Sequence, residues 1–182
     1  FSKENFVAAA KQTSDLVKQL TTEQKLQSIS VADVMIKMDD ASTIKLILSK
    51  PGDTDTILLM SNIIEEILDK RSKNRLPIVD ERGKVLYLLH RSFFDKFVSK
   101  KAGQENIKVR ELTLTNLLAE KEYENAFLSF ATVEKTAKLL SAKEAMDGNP
   151  NCSDIFVTED GSRNTRAVGW ITNAIVSETA KL

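Results

Sequence analysis

The feature that most constrains this chain is an internal repeat. Val31-Ala32-Asp33-Val34-Met35 matches Val109-Arg110-Glu111-Leu112-Thr113, and Leu76-Pro77-Ile78-Val79-Asp80 matches Asp154-Ile155-Phe156-Val157-Thr158; positions 31 and 109, like 76 and 154, stand 78 residues apart. Ser92 and Thr172, 80 residues apart, each close a later apolar strand. Landmarks that recur at one spacing mean that a single supersecondary plan is built twice, with small slips absorbed in surface loops.

Each copy reads in the same order. A short strand comes first, Lys45–Ser49 or Ala126–Phe130, and a helix follows, 57–69 capped by Asp53 or Thr54, or 133–145 capped by Thr132. An apolar strand (76–79 or 155–157) then enters an acidic-glycine turn, Asp80-Glu81-Arg82-Gly83 or Glu159-Asp160-Gly161, whose glycines suit a positive φ. A partner strand (85–91 or 167–171) and a closing helix complete a β-α-β-β-α unit. Such a unit leaves one face of a small sheet exposed, and two of them can bury those faces against each other. The expected fold is therefore α+β: tandem β-α-β-β-α repeats packed as one module. The boundaries are a helical segment over 1–29, a first repeat over 30–102 and a second over 103–182, with a polar linker at 100–105.

Residues 2–20 predict an amphipathic helix, with Phe6, Ala9, Ala10, Thr13, Leu16, Val17 and Leu20 at three- and four-residue steps. It is either a dimer-forming or linker helix or one that packs on the core. The chain starts at Phe1, as a piece of a longer protein would.

Lys and Arg number 26, as do Asp and Glu, so the chain lacks the basic excess of a nucleic-acid binder and the cationic face of a membrane-surface protein. Its apolar runs are far short of the roughly 18 residues that span a bilayer. One cysteine, Cys152, and one histidine exclude an intrachain disulfide and a Cys/His zinc site, and point to a reducing, cytoplasmic setting. No phosphate-cradling glycine loop is present, and His90 has no visible acid or nucleophile partner, so neither nucleotide hydrolysis nor other catalysis is expected.

Several segments together resemble the CBS domain family, whose repeats pair into a Bateman module. Val31-Ala32-Asp33-Val34-Met35 is similar to its V-x-D-[VI]-M opening, and Arg75-Leu76-Pro77-Ile78-Val79-Asp80 with Gly83 to its R-x-P-V-V-D-x-x-G hairpin. The strand 85–91 running into Ser92-Phe93-Phe94-Asp95 resembles its strand ending in [ST]-x-x-[DN], and Gly169-Trp170-Ile171-Thr172 its second-copy equivalent. The resemblance covers about residues 30–182. It implies a regulatory module, not an enzyme, that binds an adenine nucleotide (AMP, ADP, ATP or a related adenosyl ligand) between the repeats. It also implies a homodimer and an associated effector protein, with no cofactor required.

Carried onto this sequence, the resemblance makes Ser92 the phosphate-contacting hydroxyl and Asp95 the ribose acceptor, with His90 and Arg91 beside them to neutralise phosphate charge. In the second copy Thr172 and Asn173 read as a helix cap first and a ligand contact second, because Ile175 stands where an acid would grip a ribose. Asp154 is expected at the surface or in a turn, and Trp170 in the core. The competing reading is a dimerisation or interaction scaffold whose nucleotide sites have decayed.

Overall fold

The computed structural model describes residues 3–50 and 52–181, with side chains from residue 7 onward. In chain order it runs α1 (Lys3–Ser28), α2 (Val31–Val34), β1 (Ile36–Lys37), β2 (Leu46–Leu48), α3 (Asp53–Thr56), a π-wound helix (Leu59–Asp69), β3 (Arg75–Asp80), β4 (Val85–His90) and α4 (Arg91–Ala102). The second half follows with α5 (Leu114–Leu118), α6 (Glu124–Phe127), β5 (Ala131–Glu134), α7 (Leu139–Asp147), β6 (Asp154–Thr158), β7 (Ala167–Thr172) and α8 (Asn173–Lys181). The repeated β-α-β-β-α plan is present twice.

Each repeat builds one sheet. In the first, β2 lies parallel to β3 and β3 antiparallel to β4; in the second, β5 is parallel to β6 and β6 antiparallel to β7. Both hairpins carry a register irregularity at the matching place, between Ile78 and Val79 and between Val157 and Thr158. Gly83 (φ +80°) and Gly161 (φ +75°) turn the hairpins in the left-handed region that glycine enters without a Cβ penalty.

The two sheets face each other. Val79, Val85 and Leu88 from one interdigitate with Phe156, Ala167 and Trp170 from the other, joined by Met38 and Phe130. The outer faces are covered by helices: the π-wound helix and α4 on the first sheet, α7, α8 and the end of α1 on the second. Strands covered on both faces carry near-continuous apolar runs, as in Leu76–Val79 and Ile155–Val157.

The entry segments are exchanged between repeats. The Val31 amide donates to the Ala137 carbonyl and the Leu139 amide to that of Ile29 (3.0 and 2.9 Å); reciprocally, the Leu59 amide donates to Leu112 and the Leu114 amide to Ile57 (2.9 and 2.8 Å). After the first entry segment, β1 pairs antiparallel with β7 and so widens the second sheet to four strands, in the order β1-β7-β6-β5. Gly169 permits this crossing, because a Cβ there would overlap the Met35 side chain. After the second entry segment the chain coils into α5 and α6 instead, and the first sheet keeps three strands.

Four local expectations are corrected. Residues 124–127 are helical, and the first strand of the second copy is β5, starting at Ala131. A five-residue stretch with four apolar members fits a buried helical turn as well as a strand, and Phe127 supplies such a turn to the first repeat's core. Thr132 therefore lies within β5 and caps nothing; α7 starts at Leu139, after Lys138. The 57–69 helix starts at Leu59, where Asn62 Oδ1 accepts the Leu58 amide (2.8 Å), whereas the Asp53 carboxylate accepts from the Ser49 and Lys50 amides and opens the separate turn α3. The N-terminal helix runs on to Ser28.

On that helix the Phe6 side chain lies outside the described residues, and the rest of the apolar stripe is solvent-exposed. Leu26, not the stripe, anchors α1 to the second repeat. No helix among the described residues is long and apolar enough to cross a membrane.

Candidate ligand-binding site at the seam between the repeats

The open ends of β3 and β4 meet those of β6 and β7 at the seam. There Asp154, the first residue of β6, is fully buried, contrary to the surface position expected for it. A buried carboxylate persists only with partners, and Asp154 has four. Its Oδ1 accepts from Trp170 Nε1 (3.0 Å) and pairs with Arg75 Nη1 (3.2 Å). Its Oδ2 accepts from Ser153 Oγ (2.6 Å), and His90 Nε2 stands 3.6 Å away. Arg75 Nη2 also donates to Asn173 Oδ1 (3.1 Å) and more weakly to Ser153 Oγ (3.4 Å). Arg75 and His90 come from the first repeat and the other four residues from the second, so this polar node joins the two halves.

The node forms one wall of a cleft of about 660 Å³, lined also by Ile36, Ser42, Thr43, Ile44, Lys73, Asn74 and Trp170. That volume falls within the range of small-molecule sites. The chemistry of the lining is consistent with an anionic aromatic ligand: two cations (Lys73 and Arg75), a histidine, three hydroxyls (Ser42, Thr43 and Ser72), and the edge of the chain's one tryptophan. Trp170 is core as expected, stacked on Phe156 with ring centroids 5.9 Å apart, and it borders the cleft as well. A second cleft, of about 700 Å³, opens on the other side of His90 and is lined by Phe93, Glu122, Asn125, Ala126, Ser129, Pro150 and Asn151. Glu122 supplies an acid there, and neither lysine nor arginine is among its lining residues.

The sequence-derived candidates separate into two groups. His90, Thr172 and Asn173 gather at the node: His90 lines both clefts, Asn173 holds Arg75, and Thr172 is the ladder partner of Asp154. Thr172 Oγ1 accepts the Ile175 amide at 3.4 Å, the capping role read from the sequence, and Ile175 packs into the second repeat's core. Ser92, Arg91 and Asp95 lie on the first turns of α4, and none is among the lining residues of either cleft. The Asp95 carboxylate is 57% exposed and 3.7 Å from Arg91 of its own helix. Arg91 is committed to Asp69 at 2.5 Å, and that hydrogen bond, with Asp95 adding to it, holds its guanidinium above the usual arginine range.

Sequence reasoning missed Arg75, Lys73, Ser42 and Thr43, and misplaced Asp154. One signal was available: Arg75 and Asp154 carry opposite charges at nearly equivalent positions of the two copies. Equivalent positions of a quasi-two-fold pair meet near its axis.

No protein-family model matches the sequence, and a search of curated proteins finds no match. Solved structures do match the fold. The CBS domain of a bacterial CNNM/CorC family Mg2+ transporter is similar with a TM-score of 0.60 and 12% identity, over 99% of this chain and 96% of that one. A structure of such a domain in complex with ATP gives 0.59 and 12%, over 92% and 97%. The CBS domain pair of protein MJ0100, in complex with 5'-methylthioadenosine and S-adenosyl-L-methionine, gives 0.51 and 22%, over 82% and 93%. The exchanged entry segments, the facing sheets and these likenesses agree: the chain has the fold of a CBS-domain pair, a Bateman module.

Proposed function

We propose that this chain is a regulatory module that binds an adenine nucleotide (AMP, ADP, ATP or a related adenosyl ligand) in the cleft between its repeats and passes the event to an associated effector. In this reading it works as a cytoplasmic homodimer and performs no chemistry on its ligand. The observation that carries the reading is the seam cleft, with Arg75, Lys73 and His90 converging beside hydroxyls and an indole edge. Neighbours of the same fold in complex with ATP and with adenosyl compounds support the ligand class.

The geometry supports a division of labour among these residues. Lys73 and Arg75 meet the phosphate, Arg being suited to bidentate contacts. Ser42 and Thr43 offer hydroxyls to the sugar, in place of the acid that Ile175 replaces. The apolar edge of Ile36, Ile44 and Trp170 takes the base. Ser92 and Asp95 would form a second, weaker site only if α4 and Arg91 rearranged. Binding shifts the module only through different affinity for two repeat arrangements.

A thermal-shift screen of AMP, ADP, ATP, S-adenosylmethionine and cyclic dinucleotides tests the reading. One of them is expected to raise the melting temperature of the wild type and not that of R75Q. A second reading, a dimerisation scaffold with decayed sites, is favoured by the exposed Asp95 and by Ile175. It expects no shift with any ligand and an undiminished dimer in sedimentation.

A further inference from the structure

We infer that Asp154 is the catch that holds Arg75 in the ligand-free molecule, so that the second repeat and an anion entering the seam cleft compete for one guanidinium. The inference deepens the proposed function and rests on the seam cleft being the ligand site.

Both terminal nitrogens of Arg75 are already committed to the second repeat: Nη1 to Asp154 Oδ1 at 3.2 Å, and Nη2 to Asn173 Oδ1 at 3.1 Å and Ser153 Oγ at 3.4 Å. A phosphate that engages Arg75 through the same fork must draw it from these acceptors, since a guanidinium presents its strong paired donors on few edges. Asp154 cannot follow. It is fully buried and pinned by the Trp170 indole and the Ser153 hydroxyl. Arg75, with 23% of its side chain exposed, lines the cleft and is the member free to turn.

The surroundings suit an exchange. Lys73 lines the same cleft and makes no ion pair among the described residues, so it can draw an anion in before Arg75 responds. His90 Nε2, 3.6 Å from Asp154 Oδ2, is placed to take over as the donor facing the buried carboxylate when Arg75 leaves. Because Arg75 and His90 belong to one repeat and Asp154, Ser153 and Asn173 to the other, each exchange alters a tie across the seam. Ligand occupancy and repeat–repeat attachment are thereby linked, and the linkage is reciprocal.

The test is calorimetric titration of ATP, and separately of inorganic triphosphate, into wild type, D154N and R75Q, with circular dichroism confirming the fold of each. D154N keeps the shape of the catch and removes its charge. It is expected to bind both probes about tenfold more tightly than wild type, as release from a charge-assisted contact implies. R75Q is expected to lose most of the binding. If D154N does not fold, N173A takes its place, with tightening of a few-fold expected. Wild type binding ATP with D154N (or N173A) binding it equally or more weakly overturns the catch and leaves the proposed function standing. Failure of every variant to bind either probe overturns both.

Discussion

At the level of single residues, Asp154 is a buried carboxylate whose counter-charge, Arg75, arrives from the other half of the molecule. Arg75 keeps 23% of its side chain exposed and can turn to water when Asp154 is removed, so the cost falls mainly on the Trp170 and Ser153 donors left without their acceptor, about 1–3 kcal/mol. Asp154→Ala is therefore expected to lower unfolding stability by about that amount, read from the urea midpoint at constant slope. Asp95→Ala changes a carboxylate that is 57% exposed and 3.7 Å from its partner, where ion pairs contribute about 1 kcal/mol or less. The same assay is expected to show it within experimental scatter of wild type. Equal costs for the two would contradict the assignment of Asp154 as the structural charge.

At the element scale, the exchange of entry segments makes specific demands. Gly169 sits where β1 crosses β7, and Gly169→Ala forces overlap with Met35. Overpacking of this kind costs about 1–3 kcal/mol, so a matching fall in thermal stability is expected, with partial recovery when Met35 is also cut to Ala. At the end of α4 a second device operates. Hydrogen bonds from Lys101 and Lys100 hold the Glu120 carboxylate below the usual range, and Lys100 does the same for Glu122, with Tyr123 assisting. A depressed folded-state value means that this stabilisation is complete above the ordinary carboxylate range and is lost as the pH falls through the lowered values. Protection factors against hydrogen exchange at the α4 C-terminus, taken relative to the intrinsic exchange rate at each pH, are expected to fall on acidification through that window, and the response to flatten in E120Q.

The elements also show what sequence can and cannot reveal. The two hairpins, β3–β4 and β6–β7, were legible because apolar runs bounded by acidic-glycine turns admit little else. The start of the second copy was not. Ala126–Phe130 satisfies either period, and the contact that decides for a helix is Phe127 packing on the first repeat. Apart from its charge, opposite to that of Arg75 at the nearly equivalent position, Asp154 was hidden for the same reason. Nothing adjacent in sequence except Ser153 satisfies it, and its main partners, Arg75, His90 and Trp170, arrive only with the fold.

At the scale of the whole molecule, two sheets bury their inner faces against each other and leave polar clefts where their strand ends meet. Ligand sites favour such junctions, since strand ends supply both backbone and side-chain polar groups around an apolar floor. The repeats are not equivalent: the seam cleft has the cations, and the cleft beyond His90 has Glu122 and none. One nucleotide per chain is therefore the expected stoichiometry.

The chain's one tryptophan borders the seam cleft and donates to Asp154, so its emission senses both ligand entry and release of the Asp154–Arg75 pair. The decisive measurement is Trp170 fluorescence during titration with ATP. A saturable change with one equivalent per chain, absent in R75Q, is the expected result. An ATP-dependent rise in melting temperature with no change at Trp170, or the same change in R75Q as in wild type, would place the ligand elsewhere and contradict the account.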